Sequence, residues 1–187
     1  QSIRIVAPIP GKGVVGITSH LGNWEVLNHF YCSQCKPIIF YRPPKLKAVD
    51  ELLRKQRVQL GNKVAASTKE GILSVIKEVR KGGQVGIPAD PEPAESAGIF
   101  VPFFATQALT SKFVPNMLAG GKAVGVFLHA LRLPDGSGLE LIRKLNELTP
   151  GVPSIVYTGD AYEVHREEAL AAGFLALMMV KARAHRR

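Results

Sequence analysis

Short apolar runs alternating with longer amphipathic stretches constrain this chain more than any other feature. Val14-Val15-Gly16-Ile17-Thr18, Pro37–Tyr41, Lys63–Ala66, Val85–Pro88, Ala123–Leu131, Ser154–Tyr157 and Leu175–Val180 read as strands, most of them apolar throughout. Between them, Asn23–Ser33, Ala48–Leu60, Lys69–Lys81, Thr110–Ala119, Gly138–Leu148 and Tyr162–Ala172 carry helical spacing. In the third of these, Ile72, Val75, Ile76 and Val79 share one face; in the second, Val49, Leu52, Leu53 and Leu60 oppose Arg54, Lys55 and Arg57. Strands separated by helices of about 10–15 residues predict βαβ units, because a parallel neighbour needs a crossover that returns to the same end of the sheet. The expected class is α/β, with a mainly parallel or mixed central sheet flanked by helices. Asp90–Gly98, rich in Pro, Glu and Ala, reads as a loop.

Length and charge narrow the functional classes. The chain has 187 residues, 46% of them apolar and 21% charged, which suits one packed α/β domain and excludes disorder as the default. Its net charge of +9 calls for an anionic partner. Nucleic acid would rest on charge alone, with no recognition motif, and is not expected. No apolar run approaches the ~18 residues a membrane span needs, and no signal peptide is visible. The chain opens on Gln1 rather than Met, so an upstream anchor is compatible with it. Cys32 and Cys35 form a CxxC, but no second pair exists to complete a zinc site, and no metal is expected. A redox CxxC places its first thiol at a helix N-terminus, whereas these stand where a helix ends before Pro37. Two reduced thiols are expected.

The segment Ser19-His20-Leu21-Gly22-Asn23-Trp24-Glu25 carries the chemistry. It sets a histidine at a strand's end and a carboxylate in the first turn of the following helix, with Asn23 as N-cap. Within one continuous helix the two side chains would stand roughly 140° apart and not meet. A sharp turn at Gly22 lets Glu25 reach back to the imidazole. A carboxylate on one ring nitrogen fixes the tautomer and leaves the other as general base. Spacing alone is weak support: His29 precedes Gln34, His129 precedes Pro134 and His165 precedes Leu170 at the same distance, none of them acidic.

Three motifs in order add to this. His20-Leu21-Gly22-Asn23-Trp24-Glu25, Tyr41-Arg42-Pro43-Pro44-Lys45, and Phe100-Val101-Pro102-Phe103-Phe104 with Ala108-Leu109-Thr110 closely resemble the bacterial lipid A biosynthesis acyltransferases, the lauroyl and myristoyl transferases of the lysophospholipid acyltransferase-like superfamily. The resemblance covers about residues 11–136. It implies transfer of a fatty acyl chain from an acyl carrier protein thioester to a hydroxyl of a lipid A precursor or related glycolipid. The place would be the cytoplasmic face of the bacterial inner membrane, with no cofactor. By the family's HxxxxD/E motif, His20 is the general base and Glu25 its partner. Asn23, Arg42, Lys45 and Asp90 fall at substrate-binding positions, with Arg54 and Arg57 as further candidates for anionic contacts. The family's acidic loop usually carries two aspartates; here it reads Asp90-Pro91-Glu92. The family's C-terminal part is absent, so an acyl pocket missing one wall is expected.

The remainder resembles something else. Leu131–Leu141, Ile155-Val156-Tyr157-Thr158-Gly159, Glu168–Gly173 and Val180-Lys181 look like the second half of a response-regulator receiver domain, with Thr158 and Lys181 as its switch threonine and phosphate-contacting lysine. Its phosphoacceptor aspartate would stand where this chain has Ala130. The resulting division is residues 1–136 as an acyltransferase-like core and 137–187 as a receiver-like segment packed into the same sheet. The alternatives are a receiver-like signalling or interaction module without catalysis, or an inert chimera.

Overall fold

The computed structural model describes residues 10–20, 24–59, 61–103, 105–130, 132–133, 136–148, 154–158 and 176–179. Its elements are β1 (Gly13–Thr18), α1 (Trp24–Cys35), β2 (Ile38–Tyr41), α2 (Lys47–Gln59), β3 (Lys63–Ala66), α3 (Lys69–Arg80), β4 (Gln84–Pro88), β5 (Gly98–Phe103), β6 (Thr106–Ser111), α4 (Phe113–Ala119), β7 (Ala123–Ala130), β8 (Arg132–Leu133), β9 (Gly136–Ser137), α5 (Gly138–Leu148), β10 (Ser154–Thr158) and β11 (Ala176–Met179). Seven strands form one sheet in the order β11-β10-β7-β1-β4-β2-β3, every pairing parallel. The α/β class follows directly. Strands β10 and β11, from the receiver-like segment, extend the sheet that β1 and β4 centre.

The middle of the sheet is dry. Val15 on β1 and Val85 on β4 are wholly buried, and α3 lays Val75 and Val79 over them. Each such side chain contributes roughly 1.5–3 kcal/mol relative to exposure. Helix α3 starts at Thr68, whose hydroxyl accepts the Gly71 N–H at 3.3 Å. It starts hard against the preceding strand. A Cβ on Gly71 would lie 1.8 Å from the Ala66 carbonyl oxygen, so only glycine fits there.

A second pair of glycines sets the depth of α1. Gly16 and Gly86 face each other in register on β1 and β4, and the ring of Tyr31 lies over both. Added Cβ atoms would stand 3.1 Å and 3.5 Å from that ring. Tyr31 is buried and its hydroxyl donates to the Val85 carbonyl at 3.4 Å. Burial pushes the Tyr31 hydroxyl well above its ordinary pKa, with Cys35 and Cys32 adding to the rise.

One expectation needs correction. The segment Thr110–Ala119 is not one helix: Thr110 and Ser111 close β6, and α4 begins only at Phe113. The sequence there pairs with Gly98-Ile99-Phe100 rather than with itself, and Pro115 then falls in the first turn of α4, where a missing N–H costs nothing. The resulting β5–β6 hairpin is antiparallel and separate from the main sheet. The helix expected over Tyr162–Ala172 lies outside the described residues. Among the described residues, no helix is long and apolar enough to cross a membrane.

Candidate active site

Parallel register brings the candidate residues to one edge. Thr18 ends β1 opposite Pro88, which ends β4, and the Ala89 N–H donates to the Thr18 carbonyl at 2.9 Å. His20 and Asp90 each stand two residues beyond those partners, so the two chains leave the sheet side by side. Asp90 grips His20 at two points. Its Oδ2 accepts the His20 backbone N–H at 2.9 Å, and its Oδ1 lies 3.0 Å from the ring Nδ1, with Oδ2 at 3.2 Å. A carboxylate at Nδ1 places the ring proton there and leaves the basic lone pair on Nε2. The side chains are 45% and 40% exposed. A hydrogen-bonded pair so open to water contributes about 0–1 kcal/mol to stability. What it fixes is orientation.

Glu25 is the second residue of α1, in the first turn as the sequence predicts. Its side chain, and Asn23 as a whole, lie outside the described residues. Among the described side chains, the carboxylate on the imidazole is Asp90, which the sequence analysis places with substrate. The linear spacing could not find it, for 70 residues separate the pair. The available signal was a match of offsets: each follows an apolar strand by two residues.

Strand β2 flanks β4, with Ile39 opposite Gly86, which sets Tyr41 level with Pro88. Arg42 thus emerges at the same edge as Asp90, one strand further out, and is exposed, as is Lys45. Arg54 also faces water. Arg57 does not. It is 6% exposed, with its guanidinium carbon 5.2 Å from the centroid of the Tyr41 ring, and the Tyr41 hydroxyl donates to Asp50 Oδ1 at 2.8 Å. The charged face expected over Arg54–Arg57 is thus split, and Arg57 braces the strand end that carries Arg42.

The thiols occupy a different environment. Cys32 Sγ donates to Asn28 Oδ1 at 3.3 Å and Cys35 Sγ to the Tyr31 carbonyl at 3.1 Å, both one turn back along α1. Burial, with Cys32 nearby, pushes the Cys35 thiol up to about 12. Both cysteines are free. Among the described residues no group of three or more His, Cys, Asp or Glu side chains is arranged to hold a metal.

Two cavities bear on substrate access. A slot between α1 and the sheet, floored by Gly16 and Gly86, opens beside Thr18 and Pro88 but holds only about 20 Å³. That is room for one water, so α1 must shift to admit a chain there. The larger groove, about 490 Å³, runs between α3 and α4 past Ile76, Phe113 and Met117 to Arg80 and Lys122. Those two cations lie near the opposite ends of the strands, away from His20.

The profile of the bacterial lipid A biosynthesis acyltransferase family matches residues 8–145. That span is most of the chain and contains His20, Arg42, Asp90 and the β5–β6 hairpin.

This chain belongs to the bacterial lipid A biosynthesis acyltransferase family.

The family match runs past Gly136, where the sequence resemblance ends. Other similarities of this acyltransferase-family chain are local or distant. It is 47% identical over 49 residues to the transcriptional regulatory protein FixJ of Rhizobium meliloti (strain 1021), which is 26% of this chain and 24% of FixJ. The chain thus spans about a quarter of that protein. Among solved structures, the CheX–CheY–BeF3–Mg complex from Borrelia burgdorferi aligns with 81% of this chain and 84% of its own at 10% identity and a TM-score of 0.32. FixJ-N aligns with 92% and 84% at 19% identity and a TM-score of 0.31.

Proposed function

We propose that this chain transfers a fatty acyl group from an acyl carrier protein thioester to a hydroxyl of a lipid A precursor or related glycolipid, with His20 as general base. The observation that carries this reading is the two-point grip of Asp90 on an imidazole that remains open to solvent. Nε2 takes the proton of the acceptor hydroxyl as its oxygen attacks the thioester carbonyl. A C–O bond forms, the C–S bond breaks, and the imidazolium returns the proton to the departing thiolate. Asp90 stabilises the imidazolium in between. Glu25, in the first turn of the adjoining helix, is a second carboxylate for the same ring. Arg42 and Lys45 supply cations at the same edge for phosphates of the acceptor or for the acidic carrier, and Arg54 lies further out on α2. This chemistry calls for no metal or cofactor. The enzyme would work at the cytoplasmic face of the bacterial inner membrane, held peripherally, and its basic surface suits that anionic leaflet.

The test is direct. Incubation with an acyl carrier thioester and a lipid A precursor should add one acyl mass to the acceptor, and His20→Ala should abolish that gain. No gain with the parent chain, or the same gain after substitution, sinks the reading.

The FixJ match favours a second reading, a receiver-like signalling or interaction module. Ala130 stands where that pattern requires its phosphoacceptor, so acetyl phosphate should leave the chain unlabelled. Stable label on a carboxylate would reverse the order of the two readings.

A further inference from the structure

From Gly98 to Ser111 the chain carries no ionisable side chain, yet it forms a hairpin that stands well out into solvent. Ile99 is 52%, Phe100 66% and Phe103 56% exposed. These residues do not share a face. Successive residues of a strand point to opposite sides, so Phe100 occupies one surface of the hairpin, and Ile99 and Phe103 the other. The apolar groups are aromatic and branched, and an isolated two-stranded ribbon with large apolar groups exposed on both surfaces is a poor solution in water.

The double-sided pattern limits the occupant. A protein groove or a second copy would cover one surface and leave the other wet. A lipid environment surrounds both. We infer that the β5–β6 hairpin is a membrane wedge that enters the headgroup and upper acyl region of an anionic bilayer. No further strand flanks this two-stranded ribbon among the described residues, so its outer edges are not closed into a barrel, which excludes deep insertion and fixes the depth at the interface, where water and headgroups reach them. Charge agrees with this. The chain is +9, and Arg42, Lys45 and Lys47 lie exposed beyond the end of β2. The hairpin is rooted nearby: Phe113, just after it, packs against Phe40 of β2 with ring centroids 5.2 Å apart. The hairpin also follows directly on the Asp90 loop. Insertion would therefore bring the His20–Asp90 pair to the lipid surface.

The inference rests on the membrane-surface part of the proposed function, but its test separates from catalysis. The full chain is sedimented with large vesicles of phosphatidylethanolamine and phosphatidylglycerol. Binding is expected, weaker with phosphatidylcholine alone and weaker at high salt. Ile99→Ser and Phe100→Ser should each reduce partitioning by about tenfold or more. Leu73→Ser, an equally exposed leucine on α3, should leave it unchanged. A Phe100→Trp variant should gain a blue-shifted emission component quenched by brominated lipid. Acyl transfer to a detergent-dispersed acceptor should survive in the hairpin variants and fail in His20→Ala, which should still bind vesicles. Unchanged vesicle binding in both hairpin variants overturns the inference. So does a change in oligomeric mass in its place, which would assign the hairpin to a second copy, or loss of dispersed-substrate transfer with vesicle binding intact, which would assign it to the acyl chain.

Discussion

The His20–Glu25 motif and the Cys32–Cys35 pair begin as similar sequence signals, two short motifs of reactive side chains at either end of one helix. Their surroundings make them opposites. The histidine stands at the open edge of the sheet with a carboxylate on one nitrogen and nearly half its side chain in water. The thiols lie along α1, one of them wholly buried, and each donates to an oxygen one turn back. Reactivity is thus assigned by where the strand ends and what the helix covers, and not by residue type.

Five measurements would break or sharpen that contrast. The largest effect is expected at the open pair: His20→Ala should lower acyl transfer by roughly 10²–10⁴-fold, the share a general base usually carries. A comparable factor should appear in thiol chemistry. With its pKa near 12, Cys35 should alkylate at pH 8 on the order of 10³-fold more slowly than a free thiol, read by mass after iodoacetamide. Asp90→Asn should cost about tenfold in turnover, the low end for a charge-assisted hydrogen bond because the pair is solvated. Full activity in that variant would return the partner role to Glu25 alone.

A smaller effect concerns alkali. The Cys35 thiol ionises near 9.0 when unfolded and near 12 when folded, so the unfolded state loses its proton first. Its contribution to stability is intact below pH 9 and falls as pH rises toward 12. The Tm should decline over that window, and Cys35→Ser should flatten the decline. The smallest is Leu52→Ser, within about ±0.5 kcal/mol of the parent in urea unfolding, because that leucine is already 57% exposed.

Leu52 also shows how far the sequence could be read. Both α2 and α3 follow from their apolar spacing, and the observed Lys47–Gln59 and Lys69–Arg80 agree closely with expectation. Only α3 buries its stripe. Period detects a helix, but what covers its apolar side depends on long-range packing. Among the described side chains of α2 the buried one is Arg57, set over the Tyr41 ring, while Val49, Leu52 and Val58 face outward. The hairpin escaped for a related reason. Phe100-Val101-Pro102-Phe103 was legible as a family motif, but its pairing with Thr106–Ser111 is a contact between segments. The candidate base was visible locally. Its partner at Asp90 was not, because strand adjacency is a property of the whole sheet and β4 inserts between β1 and β2 only once the crossovers are laid down.

The paired departure from β1 and β4 has a consequence for how such a site can change over generations. Thr18 to His20 and Pro88 to Asp90 are two arms of equal length, measured from a shared rung. Lengthening either arm alone by one residue would carry its tip away from the other, whatever amino acids it bore. Viable descendants should therefore show insertions or deletions in these two places together or in neither, so that the spacing is inherited as strictly as the letters.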